Sequence, residues 1–248
     1  MFLKTEKLNK KIDLNIQFMR AISIIFVILF HYQFLGLKGG FIGVDIFFVI
    51  SGFLITKILA SEKKIDLTKF YFKRFKRIFP SLVIVIFFVV LFSSFIFSEI
   101  HFERIINSSI YSIFGISNFF FMTESGYFDF KKLFKPLLHT WSLGVELQFY
   151  ILWSLIFFWT FLKKNLGFFI SFLFIFSLAL SILYSHRSEN FFYFTGLRIF
   201  EFCLGSCIFF FQKKINRNDF LLVLSLLVII FCAFTFDENL SYPGMWAI

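Results

Sequence analysis

Arg20 and His31 lie in one apolar run, Met19 to Tyr32, with ten residues between them. An ionisable side chain at bilayer depth is costly unless it faces a cavity or a partner, so each calls for a function or a satisfied place in a bundle. A separation of eleven residues is close to three helical turns, which puts both groups on one helix face about 16 Å apart along the axis. The pattern gives a permanent cation near one membrane surface and an imidazole near mid-depth. Imidazole suits taking and returning a proton near neutral pH, hence general acid–base chemistry. The alternative is an Arg that snorkels to the interface and a His satisfied inside the bundle.

Four further groupings carry chemistry. Asp45 follows Gly39-Gly40-Phe41-Ile42-Gly43, where glycines permit close backbone packing or a special turn. Its carboxylate can hold a His tautomer, pair with Arg, or act as a favourable charge at a helix N-terminus. Arg74-Phe75-Lys76-Arg77-Ile78-Phe79-Pro80 ends the most basic loop expected in the chain, 61–77. It reads either as a topology determinant in contact with lipid headgroups or as a site for an anionic cofactor, since Arg forks grip phosphate bidentately. Next, His139-Thr140-Trp141-Ser142-Leu143-Gly144-Val145-Glu146-Leu147-Gln148-Phe149-Tyr150 crowds polar groups at the start of an apolar helix. Ser142 and Glu146 are i, i+4 neighbours, as are Glu146 and Tyr150. Ser142 also fits a capping role, whereas Glu146 lies a turn deep and needs a partner. Finally, Arg198 and Glu201 stand three apart ahead of Gly205, as a site pair or as an intrahelical ion pair.

The elements that must position these groups are membrane helices. Apolar runs long enough to cross about 30 Å of hydrocarbon recur along the chain. They lie near 17–35, 41–60, 78–98, 105–122, 139–162, 166–184, 191–212 and 219–236, an all-α polytopic membrane bundle of seven to eight segments. Pro80 falls in the first turn of the third, where its missing N–H does least harm. The run at 105–122 is interrupted by Asn107, Ser108, Ser109, Ser112, Gly115, Ser117 and Asn118, and reads as a polar bundle helix or a re-entrant segment. The re-entrant choice is preferred: it brings Lys163-Lys164 and Lys213-Lys214-Arg217 to the same side as the basic N-terminus, as the positive-inside rule expects. The N-terminus is then cytoplasmic. The tail Ser241-Tyr242-Pro243-Gly244-Met245-Trp246-Ala247-Ile248 reads as a loop entering a further apolar helix, as if the chain were cut short.

Composition bounds the rest. The 248 residues are 59% hydrophobic and 16% charged, against about half and about a quarter in a soluble domain. The net charge of +10 gathers in short loops between apolar runs, so topology explains it better than nucleic acid does. Cys203, Cys207 and Cys232 all lie in apolar runs, with no His or carboxylate at metal-ligand spacing, and read as small packing residues. No metal or bound prosthetic group is expected, and no cleavable signal peptide is evident.

Taken together, these residues resemble the acyltransferase-3 family of integral membrane acyltransferases, which O-acetylate lipopolysaccharide, peptidoglycan and other surface glycans. The resemblance runs in order along nearly the whole chain: Arg20 with His31, 39–56, Arg74 to Pro80, Tyr127-Phe128-Asp129, His139 to Tyr150, Arg198 to Gly205, and Tyr242-Pro243-Gly244. It implies one acyltransferase-3-like transmembrane domain over 1–248 in a bacterial inner membrane. On that resemblance the domain lacks the family's last helices, and no soluble domain is expected. The resemblance also implies acyl-CoA, usually acetyl-CoA, as cytoplasmic donor and a glycan hydroxyl across the membrane as acceptor. Arg74 and Arg77 would bind the donor's phosphates, Arg20 would steer charge nearby, and His31 would be general base or transient acyl carrier. Asp45 and Glu146 would orient His31 or relay its proton, and Trp141 would floor a sugar site with Ser142, His139, Tyr150, Arg198 and Glu201 around it. The family usually has a second acidic residue after the Glu of the Trp-Ser-Leu motif; Leu147 stands there, which leaves the acidic role to Glu146. The residues by themselves also suit a proton-coupled transporter or flippase, and the abrupt end suits an inactive or scaffolding fragment.

Overall fold

The computed structural model describes residues 14–32, 34–62, 65–124, 135–159, 165–184, 189–212, 219–236 and 242–247. Among the described residues there are nine α-helices and no strand. They are α1 (Leu14–His31), α2 (Ile42–Ser61), α3 (Leu67–Ile96), α4 (Glu99–Ile113), α5 (Ser117–Glu124), α6 (Thr140–Phe158), α7 (Leu166–Tyr184), α8 (Ile199–Phe211) and α9 (Asp219–Thr235). Five of these, α1, α2, α3, α6 and α7, are long and apolar enough to cross a membrane. The expected all-α membrane fold is therefore present, with backbone groups satisfied within helices as a bilayer requires.

Several boundaries differ from those that hydropathy marks. The first segment ends at His31 rather than near residue 35, so the imidazole stands at a helix end and not near the middle of a span. The basic stretch is not a loop beyond residue 66. Asp66 accepts a hydrogen bond from the Lys69 amide at 3.0 Å and starts a helix of 30 residues. At 1.5 Å per residue α3 is about 45 Å long, so its cationic first turns extend past the hydrocarbon layer that its apolar remainder crosses. Pro80 accordingly sits inside α3, not in its first turn. The run 105–122 is divided between α4 and α5 by Gly115, whose φ of +70° lies in the left-handed region that glycine tolerates. Neither half reaches about 30 Å by length alone. The segment expected at 191–212 opens instead with 3₁₀ turns, Glu189–Tyr193 and Thr195–Leu197, and becomes α-helical only at Ile199. Tyr127-Phe128-Asp129, Lys163-Lys164 and Lys213-Lys214-Arg217 lie outside the described residues.

The chain forms two compact units, 1–63 with 200–248, and 64–199. In the first, α2 is the inner helix, burying Phe48, Gly52, Ile55 and Thr56. A Cβ on Gly52 would come 2.1 Å from the Phe202 carbonyl oxygen, and one on Gly205 would come 1.9 Å from that of Val49. Only glycines let these backbones approach so closely, as small residues do wherever membrane helices pack tightly. Phe48 stacks on Phe202 at 4.6 Å, and the Thr56 and Ser206 hydroxyls bond at 2.8 Å. A second apolar cluster joins Leu37, Phe41, Ile42 and Ala233, and the Gly39 amide donates to the Ala233 carbonyl at 2.9 Å.

In the second unit α6 is the inner helix. Val145, Phe149 and Trp153 are fully buried on it, as expected of a helix apolar all round. Tyr71 of α3 bonds Ser154 of α6 through their hydroxyls. Buried Ser112 and Ser117 bond the Thr140 hydroxyl and carbonyl, both at 2.8 Å, and so fasten the broken α4–α5 segment to the start of α6. The polar residues that interrupt 105–122 are thus the adhesive of this unit.

Candidate functional site

Within the first unit, Arg20 is half-buried on α1 with its guanidinium over the Phe47 ring, 5.3 Å from the centroid. His31, exposed in the last turn of α1, lies at 5.4 Å from the Phe30 ring. The helix is continuous between them, so they share one face as the spacing predicts. Gly43 carries α2 against α1; a Cβ there would come 2.3 Å from the Ser23 carbonyl oxygen. Two residues further on, Asp45 is buried and accepts a hydrogen bond from the Tyr242 hydroxyl. Tyr242 also packs edge-on against Phe41 at 4.7 Å. The carboxylate thus joins residues 197 apart in sequence. Glu201, in the first turn of α8, is fully buried, a position the helix dipole favours for an acid.

Within the second unit the residues of 139–150 divide between faces of α6. At 100° per residue, Ser142, Glu146 and Tyr150 share one face, while Trp141, Gly144 and Gln148 share another. On the first face, Tyr150 donates to Glu146 Oε1, both buried. The Arg74 guanidinium of α3 lies over Tyr150 at 5.7 Å and over Phe70 at 5.6 Å. Phenol, carboxyl and guanidinium therefore form one compact polar group. Arg77, a turn later, is exposed and presents an unshielded cation on the same basic extension. Ser142 donates to the His139 carbonyl at 3.1 Å, and His139 is exposed just before the helix.

On the second face, Trp141 is buried, at 5.1 Å from the Phe192 ring and 5.5 Å from that of Tyr193. The Arg198 guanidinium lies 5.5 Å from Trp141 and 4.5 Å from Phe192, and its Nε donates to the Phe192 carbonyl. Arg198 ends the 3₁₀ turn before α8, whereas Glu201 lies in the first turn of α8. Trp141 is thus packed among Phe192, Tyr193 and the Arg198 guanidinium, which it braces. Sequence reasoning noted Asn118 and Gln148 only as polar groups within apolar runs and missed Thr195; the three bond one another. The available signal was weak: amides and a hydroxyl inside apolar runs.

The fold and these side chains define an integral membrane protein of α-helices with ionisable groups buried along apolar segments. The chain belongs to the acyltransferase-3 family: the family model described as an acyltransferase domain matches residues 13–247. It is 40% identical over 155 residues to the peptidoglycan O-acetyltransferase OatA of Listeria monocytogenes, covering 60% of this chain and 25% of that protein. It is 39% identical over 142 residues to the O-acetyltransferase OatA of Staphylococcus aureus, covering 56% of this chain and 23% of that protein. The chain thus spans about a quarter of the length of these relatives. An uncharacterized protein of Haemophilus influenzae is 33% identical over 225 residues, 82% of this chain and 92% of that protein. No solved structure matches.

Proposed function

We propose that this protein moves an acyl group, acetyl in the first instance, from cytoplasmic acyl-CoA to a carbohydrate hydroxyl outside a bacterial cytoplasmic membrane. The observation that carries the reading is the placement of Arg20 and His31 on one face of α1, within a chain whose relatives include a peptidoglycan O-acetyltransferase. With the N-terminus cytoplasmic, α1 holds Arg20 toward the inner surface and His31 at its outer end, where an extracytoplasmic acceptor would arrive. His31 takes the proton from the acceptor hydroxyl as its oxygen attacks the thioester carbonyl. The C–S bond breaks, and the CoA thiolate leaves and takes up a proton. Attack by the imidazole itself, through a transient acyl-His, begins at the same atom and gives the same products.

The remaining residues take roles by position. Asp45, held by Tyr242, supplies a fixed negative charge on α2. Arg77, with Arg74 beside it on the basic extension of α3, receives the donor's phosphates; Arg77 is the free-standing contact and Arg74 the one braced by aromatic rings. Glu146 and Tyr150 keep Arg74 oriented. Trp141 and Arg198, with Ser142 and His139, shape the acceptor side.

The test is acetyl transfer from labelled acetyl-CoA in membranes carrying this chain, wild type beside His31→Ala. Label should reach a glycan fraction only with His31 intact, with a loss of about 10²–10⁴-fold in the variant, the usual worth of a general base. Equal transfer by both proteins would remove His31 from the chemistry.

A further inference from the structure

Asn118 on α5, Gln148 on α6 and Thr195 in the 3₁₀ turn before Arg198 close a ring of hydrogen bonds. Asn118 Nδ2 donates to Thr195 Oγ1 at 3.1 Å, Thr195 Oγ1 donates to Gln148 Oε1, and Gln148 Nε2 donates to Asn118 Oδ1 at 2.7 Å. The second amide protons leave the ring: Asn118 Nδ2 also donates to the Tyr193 carbonyl and Gln148 Nε2 to the Gly115 carbonyl, each at 3.2 Å. A backbone carbonyl can only accept, so each amide nitrogen must face its carbonyl. That sets the orientation of both amides and hence one sense of donation around the whole ring. Each amide proton and the threonine hydroxyl proton are used. A closed, fully satisfied network specifies a single geometry; here Asn118 is fully buried and Gln148 and Thr195 partly so. Gly144 makes room for it, since a Cβ there would come 2.9 Å from Asn118 Oδ1 and 3.2 Å from the Gly115 oxygen.

The ring joins the helix break at Gly115 to the turn that carries Tyr193 and Arg198. From Thr195 the linkage to Arg198 is short, because the Arg198 amide donates to the Thr195 carbonyl at 2.9 Å. Gln148 lies two turns along α6 from Trp141 on the same face. Three sides of the Trp141–Phe192–Tyr193–Arg198 cluster are therefore referenced to one hydrogen-bonded unit. We propose that Asn118, Gln148 and Thr195 are positioning residues that hold Arg198 against Trp141, without touching substrate. Their kinetic effect rests on the reading of Trp141 and Arg198 as shaping the acceptor side.

The experiment compares full-length wild type, Thr195→Val and Thr195→Ser in membranes. Val is close in shape but lacks the hydroxyl, so it strands an Asn118 N–H and the Gln148 carbonyl; Ser retains the hydroxyl. Two quantities are read: the Michaelis constants for acceptor and donor, and modification of Arg198 by phenylglyoxal, followed by mass spectrometry. Arg198 is 1% exposed in the wild type and should be protected. Thr195→Val should raise the acceptor KM about tenfold, the scale of one stranded buried hydrogen-bonding group, with the donor KM unchanged. It should also raise Arg198 modification several-fold, and Thr195→Ser should restore both. If Thr195→Val fails to accumulate, Gln148→Met serves in its place. Wild-type protection and wild-type KM in the accumulated variant would overturn the proposal, as would reduced yield or thermal stability with both readouts unchanged. Absence of transfer by the wild type would count against the acyltransferase reading alone, because the modification arm still decides whether the ring holds Arg198.

Discussion

At the scale of single residues, the groups that stood out were those that are costly in lipid. Arg20, His31, Asp45, Glu146, Arg198 and Glu201 are conspicuous because an ionisable side chain in an apolar run needs a physical reason. Their partners were not conspicuous. Asp45 meets Tyr242 and Glu146 meets Tyr150, and only the second pair follows from helix spacing. Glu146 is 5% exposed, so its carboxyl depends on donors from within the protein. Tyr150→Phe keeps the ring under Arg74 but removes the phenol donor, which should cost about 1–3 kcal/mol. Thermal unfolding in detergent should show a lowered midpoint, whereas an unchanged one would mean that this bond adds nothing net. The ring of Asn118, Gln148 and Thr195 was illegible for a different reason. Neutral amides and hydroxyls are common in bundle helices, and these three are linked across 30 to 77 residues of sequence.

At the scale of elements, hydropathy located the apolar helices but not their ends. The length of α3 shows why: the apolar run ends where lipid ends, while the helix ends where backbone donors find a cap, at Asp66. The division of 105–122 has a similar cause, since Gly115 at φ +70° interrupts a stretch whose composition alone suits one helix. Packing in the first unit makes a sharper prediction. Gly205→Ala places a methyl group 1.9 Å from the Val49 carbonyl oxygen and 2.7 Å from the Phe53 amide nitrogen, both backbone atoms that cannot rotate away. Overpacking of this kind costs about 1–3 kcal/mol or more. Gly167→Ala, with nothing within 4 Å of its Cβ, is the control. It should be neutral or stabilising by about 0.4–1 kcal/mol through the unfolded chain. Unfolding midpoints of the two variants in the same detergent should therefore move apart, and equal midpoints would refute the close α2–α8 contact.

At the scale of the whole molecule, the prediction concerns orientation. Basic residues gather at 61–77, so the positive-inside rule predicts the α2–α3 connection on the cytoplasmic side and the α3–α4 connection outside. In a chain whose Cys203, Cys207 and Cys232 have been replaced by Ser, Ser98→Cys should react with a membrane-impermeant maleimide in intact cells, and Glu62→Cys should not. Both positions are exposed. The reverse labelling would invert the protein and place His31 on the cytoplasmic side, opposite to the proposed direction of transfer.

The sequence by itself determined that this is a helical membrane protein, because apolar length and intramembrane charge are local properties read without knowing any contact, and its motifs in order carried the resemblance to the acyltransferase-3 family. It also determined that Arg20 and His31 share a helix face, since helical geometry converts spacing directly into direction. Only the tertiary structure decided that Trp141 braces Arg198 and that Asp45 is met by Tyr242. It alone showed that three unremarkable polar residues close a ring around the turn ahead of Arg198. Those facts depend on pairs of groups far apart in the chain, and hydrogen bonds of that kind are set by which helices meet, not by the composition of any one of them.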